Sequence, residues 1–457
     1  MVIAGTNEQG PIFTHNSDGG APLTAQRAPA SLEPPGRWYV LFTMTVVYAV
    51  NIADRYVVST LIEPIKHELA LSDSAVGFLT GTALAIFYVT AGIPLGVLAD
   101  RVNRRNMIAW SLAAWSVMTS LCGMAQSYLQ LLLARIGVGI GEAGGTPPSQ
   151  SIVADCFPAQ LRAAAMSIFA VGAAIGATLG SAGGGWLNDA YGWRNALIVF
   201  GLVGLPISLL VRFTISEPQR GQLDGNAPPG RRHSLRETLQ FIWSQKSLRH
   251  ILAGATVLTF WGWGTLWWTP AFLVRSHEMS VGQAGALLAP MHGIGGTTVM
   301  LLTAWLMSRY GRADARRQTW FIALTTLLAT PTSILAYTTF SGTSVAQLLW
   351  LFVPITYLYI GPTSGLIQNL VYPGMRAQAF AVFLFLANVA NLVVAPELIG
   401  LASDYLASRI DDPRESLRYS LIFSACTGFW AAYHYYAAAH SLSHDVERAA
   451  ASRQGTQ

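Results

Sequence analysis

The feature that most constrains the fold of this chain is a series of long apolar stretches separated by short polar ones. A helix needs about 20 mostly apolar residues to cross roughly 30 Å of hydrocarbon. With that window, the sequence predicts twelve spans, which lie near residues 38–62, 75–98, 106–126, 129–153, 162–187, 194–214, 250–274, 282–307, 319–339, 345–371, 377–402 and 417–439. The prediction is an all-α polytopic membrane protein with twelve transmembrane helices.

The composition agrees with a membrane protein. Asp, Glu, Lys and Arg make up 11% of the 457 residues and hydrophobic residues make up 52%, whereas charged residues are roughly 25% of a typical soluble protein. The net charge of +5 is small and scattered, so we expect no nucleic-acid partner. The three cysteines have no paired spacing, and we expect reduced thiols, no metal site and no cofactor.

A polar segment divides the twelve spans into two groups of six. Residues 96–105 close the second span and are echoed by residues 304–312, which close the eighth. Parallel six-span repeats are typical of one large group of secondary transporters. The predicted organisation is a disordered cytoplasmic tail, a six-helix bundle, a cytoplasmic linker, a second six-helix bundle and a cytoplasmic tail, at residues 1–36, 37–215, 216–248, 249–440 and 441–457.

The distribution of basic residues predicts the orientation in the membrane. Loops on one side carry most of the arginines, including Arg101, Arg104, Arg105, Arg162 and Arg376. Short loops on the other side, such as residues 63–74 and 403–416, are mixed in charge. The positive-inside rule therefore places both termini in the cytoplasm, and we expect a multi-pass protein of the inner (plasma) membrane.

Four charged residues fall within two predicted spans of the first half. Asp54 and Arg55 lie in span one, and Arg135 and Glu142 lie in span four. Unpaired, they would together cost on the order of 10 kcal/mol in the membrane. Arg135 and Glu142 are two helical turns apart, so each needs a partner from another span. We expect span one to provide these partners, and Asn51 to add a hydrogen bond from the same side of that span.

Two interpretations of these charges remain open. They form either a fixed ionic lock between two helices or a site where a carboxylate exchanges a proton during a transport cycle. Burial favours the protonated form of a carboxyl group, and a neighbouring arginine favours the ionised form. A helix movement that changes the partner would therefore change protonation, which is what coupling to a proton gradient requires.

Residues 139–144 contain the pattern GxGxxG, which also occurs in dinucleotide-binding proteins. That function needs a preceding strand and a helix that begins at the glycines. Here the preceding residues show no strand-ending turn, and the run is the fourth membrane-length segment. We interpret these glycines, and Gly172, Gly176, Gly180 and Gly184 in span five, as small residues that allow close helix packing.

Several motifs resemble a known family. Residues 96–105 (GVLADRVNRR) resemble the signature between spans two and three of the major facilitator superfamily, and ARIGVGIGEAG resembles its fourth-span motif. Within it, NIADRYVVS, GIGEAGGTPPSQSIVADCFP and GPTSGLIQNLVYPGMRA are similar to the Spinster family. The resemblance implies two pseudo-symmetric six-helix bundles, and proton-responsive roles for Asp54 and Glu142 modulated by Arg135. Arg55 would share that modulation or contact an anionic group of the substrate.

The same resemblance implies a cytoplasmic gate. The superfamily uses this segment as a latch, in which Gly96 lets span two approach span eleven and Asp100 lies near the N-terminus of that helix. Its basic residues are Arg101, Arg104 and Arg105. We expect Asp155 and Arg162, which flank the loop between spans four and five, to extend this network.

The second half offers a candidate wall for a substrate cavity. Span seven has four tryptophans in the stretch FWGWGTLWW, for which lipid-facing, packing and cavity-lining positions all remain open. The candidate wall residues are Trp263, Trp267, Gln368, Asn369, Asn388 and Asn391. His292 in span eight is interpreted as a core residue. The Spinster resemblance implies lysolipids or sphingoid phosphates, or drug-like compounds, as substrates.

Three function classes compete. We favour a secondary active transporter that works by alternating access and is driven by protons, with a small amphiphilic substrate, membrane lipid around it and a monomeric state. A membrane enzyme acting on lipid would need a catalytic set, and the sequence has no HExxH, no GxSxG and no Cys/His cluster with ligand spacing. A passive lipid conduit is not separated from a carrier by sequence.

Overall fold

The computed structural model describes residues 36–99, 101–220, 234–311, 314–372 and 375–454. Within these residues every regular element is helical. The predicted disordered tail falls, apart from Gly36, outside the described residues, as do Asp100 and residues 221–233 of the predicted linker.

The helices of the first half follow the predicted spans closely. They are α1 (Arg37–Thr60), α2 (Ile62–Glu68), α3 (Asp73–Gly77), α4 (Ala83–Ala99), α5 (Arg104–Met124), α6 (Tyr128–Ala143), α7 (Thr146–Cys156), α8 (Ala159–Thr178) and α9 (Gly184–Thr214). Glycine-containing π-helical turns join α3 to α4 at Phe78–Thr82 and α8 to α9 at Leu179–Gly183.

The second half begins with a short helix before its six spans. Its helices are α10 (Leu235–Ser244), α11 (Lys246–Thr259), α12 (Thr265–His277), α13 (Val281–Pro290), α14 (Thr297–Leu306), α15 (Ala315–Thr338), α16 (Gly342–Phe352), α17 (Ile360–Leu370), α18 (Arg376–Asn388), α19 (Ala395–Ala407), α20 (Ser416–Ala425) and α21 (Thr427–Gln454). Further π-helical turns join α11 to α12, α13 to α14, and α18 to α19.

Joined at these turns or at other short breaks, the helices of the described residues fall into twelve spans. In the described residues, seven helical stretches are by length and composition sufficient to cross a membrane, and an eighth, Asp73–Tyr88, is shorter but apolar. Span five continues into span six within α9, and Gly192 separates them with a left-handed φ of 83°. Polar residues begin several spans, as Asn103 and Ser127 do by capping α5 and α6.

Two boundaries differ from the sequence prediction. Span seven begins at Lys246, and the described part of the linker contains α10. The last helix continues to Gln454 rather than ending near 440, and Asp445 accepts hydrogen bonds from the backbone N–H and hydroxyl of Ser247 at 2.9 and 2.6 Å. The beginning of span seven therefore fixes part of the predicted C-terminal tail.

Each half has its own apolar core. The first is built around residues such as Leu112, Trp115 and Val138, and the second around residues such as Trp261 and Phe352. These two cores correspond to two six-helix bundles that pack side by side.

Glycines set the distance between spans one and five. Gly172, Gly176 and Gly180 pack on the backbone of α1, where a methyl group in their place would lie 2.7, 2.3 and 2.6 Å from the carbonyl oxygens of Thr45, Ala49 and Ala53. The regular four-residue spacing on both helices confirms the predicted packing role. It holds α1, which carries Asp54 and Arg55, tightly against its neighbour.

The two bundles touch at one end of the spans, which we call the closed face. There Arg275, near the end of span seven, donates to Glu63 at 2.7 Å and to Asp73 at 2.8 Å. Asp404 accepts from the backbone N–H groups of Asp73 and Ser74 at 2.9 and 2.8 Å. The opposite end, where residues 101–104 and α10 lie, is called the linker face.

Candidate functional site

The charges of spans one and four form two ion pairs. In the first pair, Nε and Nη2 of Arg55 donate to Oε2 of Glu142 at 2.9 and 2.6 Å. The Arg55 side chain is 16% exposed and the Glu142 side chain is 0% exposed. The guanidinium of Arg55 also lies 5.2 Å from the centroid of the Tyr88 ring. This pair therefore joins a partly exposed cation to a fully buried anion.

The second pair is buried at both ends. Nη1 of Arg135 donates to Oδ2 of Asp54 at 3.3 Å, and the hydroxyl of Thr119 on α5 donates to Oδ1 at 2.5 Å. The side chains of Arg135 and Asp54 are 1% and 5% exposed. Thr119 was not predicted, and nothing in its sequence context distinguishes it from other threonines in apolar spans.

Some polar atoms of this cluster have no hydrogen-bond partner among the described residues. They are Nε and Nη2 of Arg135, Oε1 of Glu142 and Nδ2 of Asn51. The hydrogen bond expected from the Asn51 amide to the carboxylates is therefore not formed. Buried polar groups without partners are costly. The hydrogen bonds within the cluster therefore do not satisfy all of its polar atoms, and the packing of the surrounding helices must keep these side chains in place.

The first two glycines of the pattern GxGxxG lie within α6, and the third, Gly144, caps its C-terminus. A methyl group at Gly139 would lie 2.7 Å from the carbonyl oxygen of Leu84, and one at Gly141 would lie 2.8 Å from Trp115. The glycines thus bring spans two and three against span four, as predicted. This close packing positions Arg135 and Glu142 next to α1.

A cavity of about 350 Å³ lies between the two bundles, and Arg55 is in its wall. Of the described residues that line it, Arg55 is the one with a charge. Aromatic residues from both bundles provide much of the surface, namely Tyr48, Tyr56, Trp263, Trp267, Tyr357, Tyr359, Phe380 and Phe383. Tyr48, Ile52, Arg55 and Tyr56 form one helical stripe on α1, a signal from which the sequence could have predicted this wall.

Four of the six predicted wall residues line this cavity and two do not. Trp263, Trp267, Asn388 and Asn391 are in the wall. Trp263 packs its ring against Tyr357, and Trp267 donates from Nε1 to Thr80 of the other bundle at 3.1 Å.

Gln368 and Asn369 are not among the described residues that line this cavity. Both lie exposed in the last turn of α17, where the carbonyl of Gln368 accepts from Arg376. Ser364, one turn earlier, takes the place in the wall. His292 is buried with Nδ1 3.0 Å from the hydroxyl of Tyr357, as expected for a core residue.

The linker face carries a second charge network within the first bundle. Arg104 donates to Asp155, to Oε1 of Glu217 at 2.8 Å, to Ser151 at 2.7 Å and to the Pro218 carbonyl at 3.0 Å. Arg104 is buried and ties together the ends of spans three, four and six. Glu217 was not predicted, because the linker sequence gives no sign that it folds back.

The other residues of the predicted latch have separate positions. Arg101 is exposed, and Gly96 lies in α4. The backbone N–H of Arg105 donates to Glu217 at 2.8 Å. Arg162 donates to the carbonyls of Ala154 and Phe157 and thereby holds the loop between spans four and five.

The closed face contains an acid that sequence reasoning missed. Burial would raise the pKa of Asp73, but hydrogen bonds from Arg275 and the charges of Arg275 and Lys66 outweigh it and lower the pKa to about 2. Lys66 lies 2.5 Å from Oδ1 of Asp73, and Ser403 donates to Oδ2 at 2.6 Å. Asp73, which precedes the membrane-crossing part of span two, is thus an ionised bridge between the bundles.

Comparison with known proteins agrees with this architecture. Residues 44–395 match the Major Facilitator Superfamily. An MFS-type efflux pump of Mycolicibacterium smegmatis is 33% identical over 376 residues, which cover 82% of this chain and 86% of that protein. The sphingosine-1-phosphate transporter SPNS2 of Danio rerio is 28% identical over 383 residues, or 78% of this chain and 74% of that protein.

A solved structure of a Spinster homolog has a similar fold. The crystal structure of a bacterial homolog of the human lysosomal transporter Spinster, in an inward-facing and unoccupied conformation, matches with a TM-score of 0.78 and 27% identity. The match covers 90% of this chain and 98% of that one. The predicted twelve-span fold and the Spinster resemblance are confirmed, and the chain belongs to the Major Facilitator Superfamily of multi-pass membrane transporters.

Proposed function

We propose that this protein is a secondary active transporter that works by alternating access, is driven by protons and moves an amphiphile with an anionic end. Lysolipids and sphingoid phosphates are the leading substrate class, and drug-like amphiphiles are the second. The names of the relatives support both, since one is a sphingosine-1-phosphate transporter and another is an efflux pump.

The observation that carries the proposal is the position of Arg55. Its guanidinium is in the cavity wall and binds one oxygen of the fully buried Glu142. An anionic group of a substrate at Arg55 competes with Glu142 for the same cation. A buried carboxylate that loses its cation is strongly disfavoured as an anion, so Glu142 takes up a proton when substrate binds.

Asp54 and Arg135 complete this mechanism as the inner pair. Thr119 and Arg135 bind both oxygens of Asp54, which stabilises the ionised form in the present conformation. A relative movement of α1 and α6 that separates Asp54 from Arg135 would leave the carboxylate buried and favour its protonation. The alternative, a fixed ionic lock, predicts that neither carboxylate changes its protonation during transport.

The wall chemistry supports an amphiphile. The cavity lies within the size range of small-molecule sites, and its aromatic surface continues into small and aliphatic side chains, which are Ala170, Ala173, Ala174, Met300, Leu384 and Ala387. Arg55 provides the one charge among the described residues of the wall. A molecule with one anionic end and an apolar chain matches this distribution.

In the proposed transport cycle, this structure is the state in which the cavity is blocked at the closed face. Arg275, Glu63 and Asp73 join the bundles there, so substrate would reach the cavity from the linker face. We assign the linker face to the cytoplasm because Arg101, Arg104 and Arg105 lie on it. Both termini are then cytoplasmic, the protein resides in the inner membrane, and we expect a monomer.

Uptake by proteoliposomes tests this proposal. Purified protein is first screened by thermal shift against lysolipids, sphingoid phosphates and cationic drugs at two pH values. The best ligand is then offered to vesicles with and without an imposed pH gradient. A proton-driven carrier accumulates substrate above its equilibrium level, whereas a passive conduit only equalises it.

Two variants and one control separate the mechanisms. Glu142→Gln and Asp54→Asn should abolish the dependence of uptake on the pH gradient, while Glu278→Gln, an exposed acid at the closed face, should keep it. Unchanged pH dependence in both core variants would rule out coupling through these carboxylates.

A further inference from the structure

The short helix α10 between the two bundles is strongly amphipathic. Four apolar residues, Leu235, Leu239, Ile242 and Trp243, fall within an arc of roughly 100° of the helix circumference. Arg236 borders this arc, and Glu237, Gln240 and Ser244 occupy the opposite side together with Phe241, which packs against Tyr372 of the second bundle. The sequence of α10 therefore encodes one apolar face and one polar face.

The helix is built to be stable at this position. Ser234 and Glu237 form a capping box, in which each side chain binds the backbone N–H of the other residue. The helix ends at Ser244, two residues before α11 begins the seventh span. A connection this short holds α10 at the boundary where the membrane-crossing part of the bundle starts.

Only part of the apolar face packs against the protein. Ile242 is buried, but Leu235, Leu239 and Trp243 are 56%, 45% and 73% exposed. Tryptophan is enriched at membrane interfaces because its ring is apolar and its N–H is polar. Three large apolar side chains of α10, one of them a tryptophan, are therefore left without cover from the protein.

Basic residues surround this face. Arg236 and Lys246 are exposed, and the guanidinium of Arg249 lies 5.5 Å from the centroid of the Trp243 ring. An apolar face with a basic border is the charge pattern that binds anionic lipid headgroups.

The helix is also bonded to the second bundle where span eleven begins. Thr238 donates to Oε1 of Gln378 at 2.5 Å, and the ring of Phe241 packs 4.9 Å from that of Tyr372. Gln378 lies in the first turn of α18, which lines the cavity further along at Phe380 and Phe383. Any force that fixes the position of α10 therefore also fixes the position of the first turn of α18.

We propose that α10 docks on the membrane surface, with Leu235, Leu239 and Trp243 inserted at the headgroup level and Arg236 bound to anionic phospholipid. The ligand is the headgroup layer of the leaflet at the linker face. This docking holds the beginning of span eleven at a fixed depth, and it does not depend on the identity of the transported substrate.

Depth-dependent quenching of Trp243 tests this assignment in the full-length chain. The protein is reconstituted into phosphatidylcholine bilayers, with or without phosphatidylglycerol, that contain chain-brominated phosphatidylcholine. The signal of Trp243 is the difference between the wild type and Trp243→Phe. We expect this difference to be quenched, and more strongly in the anionic bilayers.

Charge variants give the second arm. A basic residue at an anionic surface changes the binding constant by roughly fivefold. Arg236→Gln should therefore lower the ratio of docked to undocked α10 by about that factor in anionic bilayers. In neutral bilayers the ratio should stay unchanged. Arg409→Gln, which removes an exposed arginine from the closed face, is the matched control and should have no effect.

Two results would overturn the proposal. If the fluorescence difference between the wild type and Trp243→Phe is the same with and without brominated lipid, Trp243 is in contact with water or with a protein partner instead of lipid. If quenching and the effect of Arg236→Gln are equal in neutral and anionic bilayers, anionic headgroups are not the ligand.

Discussion

Arg55 and Glu142 join the first and fourth spans through an ion pair in which Nη2 and Oε2 are 2.6 Å apart. The cation is in the cavity wall and the anion is fully buried, so the two partners are not equivalent. A ligand in the cavity reaches Glu142 only through Arg55. This asymmetry is the basis of the first prediction.

Arg55→Gln should destabilise the protein by roughly 3–5 kcal/mol, because it leaves the Glu142 carboxylate buried without its cation. The double variant Arg55→Gln/Glu142→Gln should be more stable than Arg55→Gln, since neither charge is then left alone. Thermal unfolding of the wild type, Arg55→Gln, Glu142→Gln and the double variant in the same detergent measures the differences. A double variant whose loss equals the sum of the two single losses would contradict a direct pair.

Trp263→Ala should weaken binding of the amphiphile found in the thermal-shift screen by about tenfold, because a large aromatic surface is lost from the cavity wall. Gln368→Ala should leave the affinity unchanged, since Gln368 lies exposed at the end of α17. Titration of each variant with the ligand gives the two constants. Equal losses in both variants would place the ligand outside this cavity.

Gly176→Ala should lower the unfolding temperature, because the added methyl group would lie 2.3 Å from the carbonyl oxygen of Ala49 on α1. Overpacking of this kind costs roughly 1–3 kcal/mol. The control is Gly365→Ala, where a methyl group meets nothing within 4 Å and the helix gains stability. Similar unfolding temperatures for the two variants would argue against close contact of spans one and five.

Asp73→Asn should destabilise the closed face at neutral pH by about 2.5 kcal/mol, because the pKa of Asp73 is lowered from 3.8 to about 2 and each step of one in pKa corresponds to about 1.4 kcal/mol. A carboxyl group with a lowered pKa contributes its full stability above its ordinary pKa of 3.8 and loses it as the pH falls through about 2. The gap in unfolding temperature between wild type and variant should therefore stay constant from pH 7 to 5.

That gap should narrow only below about pH 4, close to the ordinary pKa of Asp73. A gap that already closes between pH 7 and 5 would mean that Asp73 titrates in the physiological range. The proton dependence of transport would then have a source outside the central charge cluster.

Arg104→Gln should reduce stability by roughly 3 kcal/mol, because Asp155 and Glu217 lose the cation that they share. The partial exposure of Glu217 keeps the loss below that of a fully buried pair. Arg101→Gln removes an exposed arginine from the same loop and should change stability by less than about 0.5 kcal/mol. Equal losses of stability in Arg104→Gln and Arg101→Gln would show that the net charge of the loop, and not the ion pairs of Arg104, stabilises the protein.

The sequence alone predicted the number of spans, the division into two bundles and the packing role of the glycines. Each of these follows from properties that repeat along the chain, such as apolar stretches of membrane length and small residues spaced by four on one helix face. The charges at positions 54, 55, 135 and 142 were also evident, because charged residues in apolar spans are costly and few.

The tertiary structure alone decided which charges pair and which surfaces are exposed. Arg55 takes Glu142, and Arg135 takes Asp54, although the sequence allows either arrangement. Arg104 binds Glu217, which is 113 residues away, and Gln368 lies exposed at the end of α17, outside the cavity wall. Such outcomes depend on the rotation and depth of one helix relative to another. A periodic sequence pattern shows which residues share a helix face, but it does not show which neighbouring helix that face contacts.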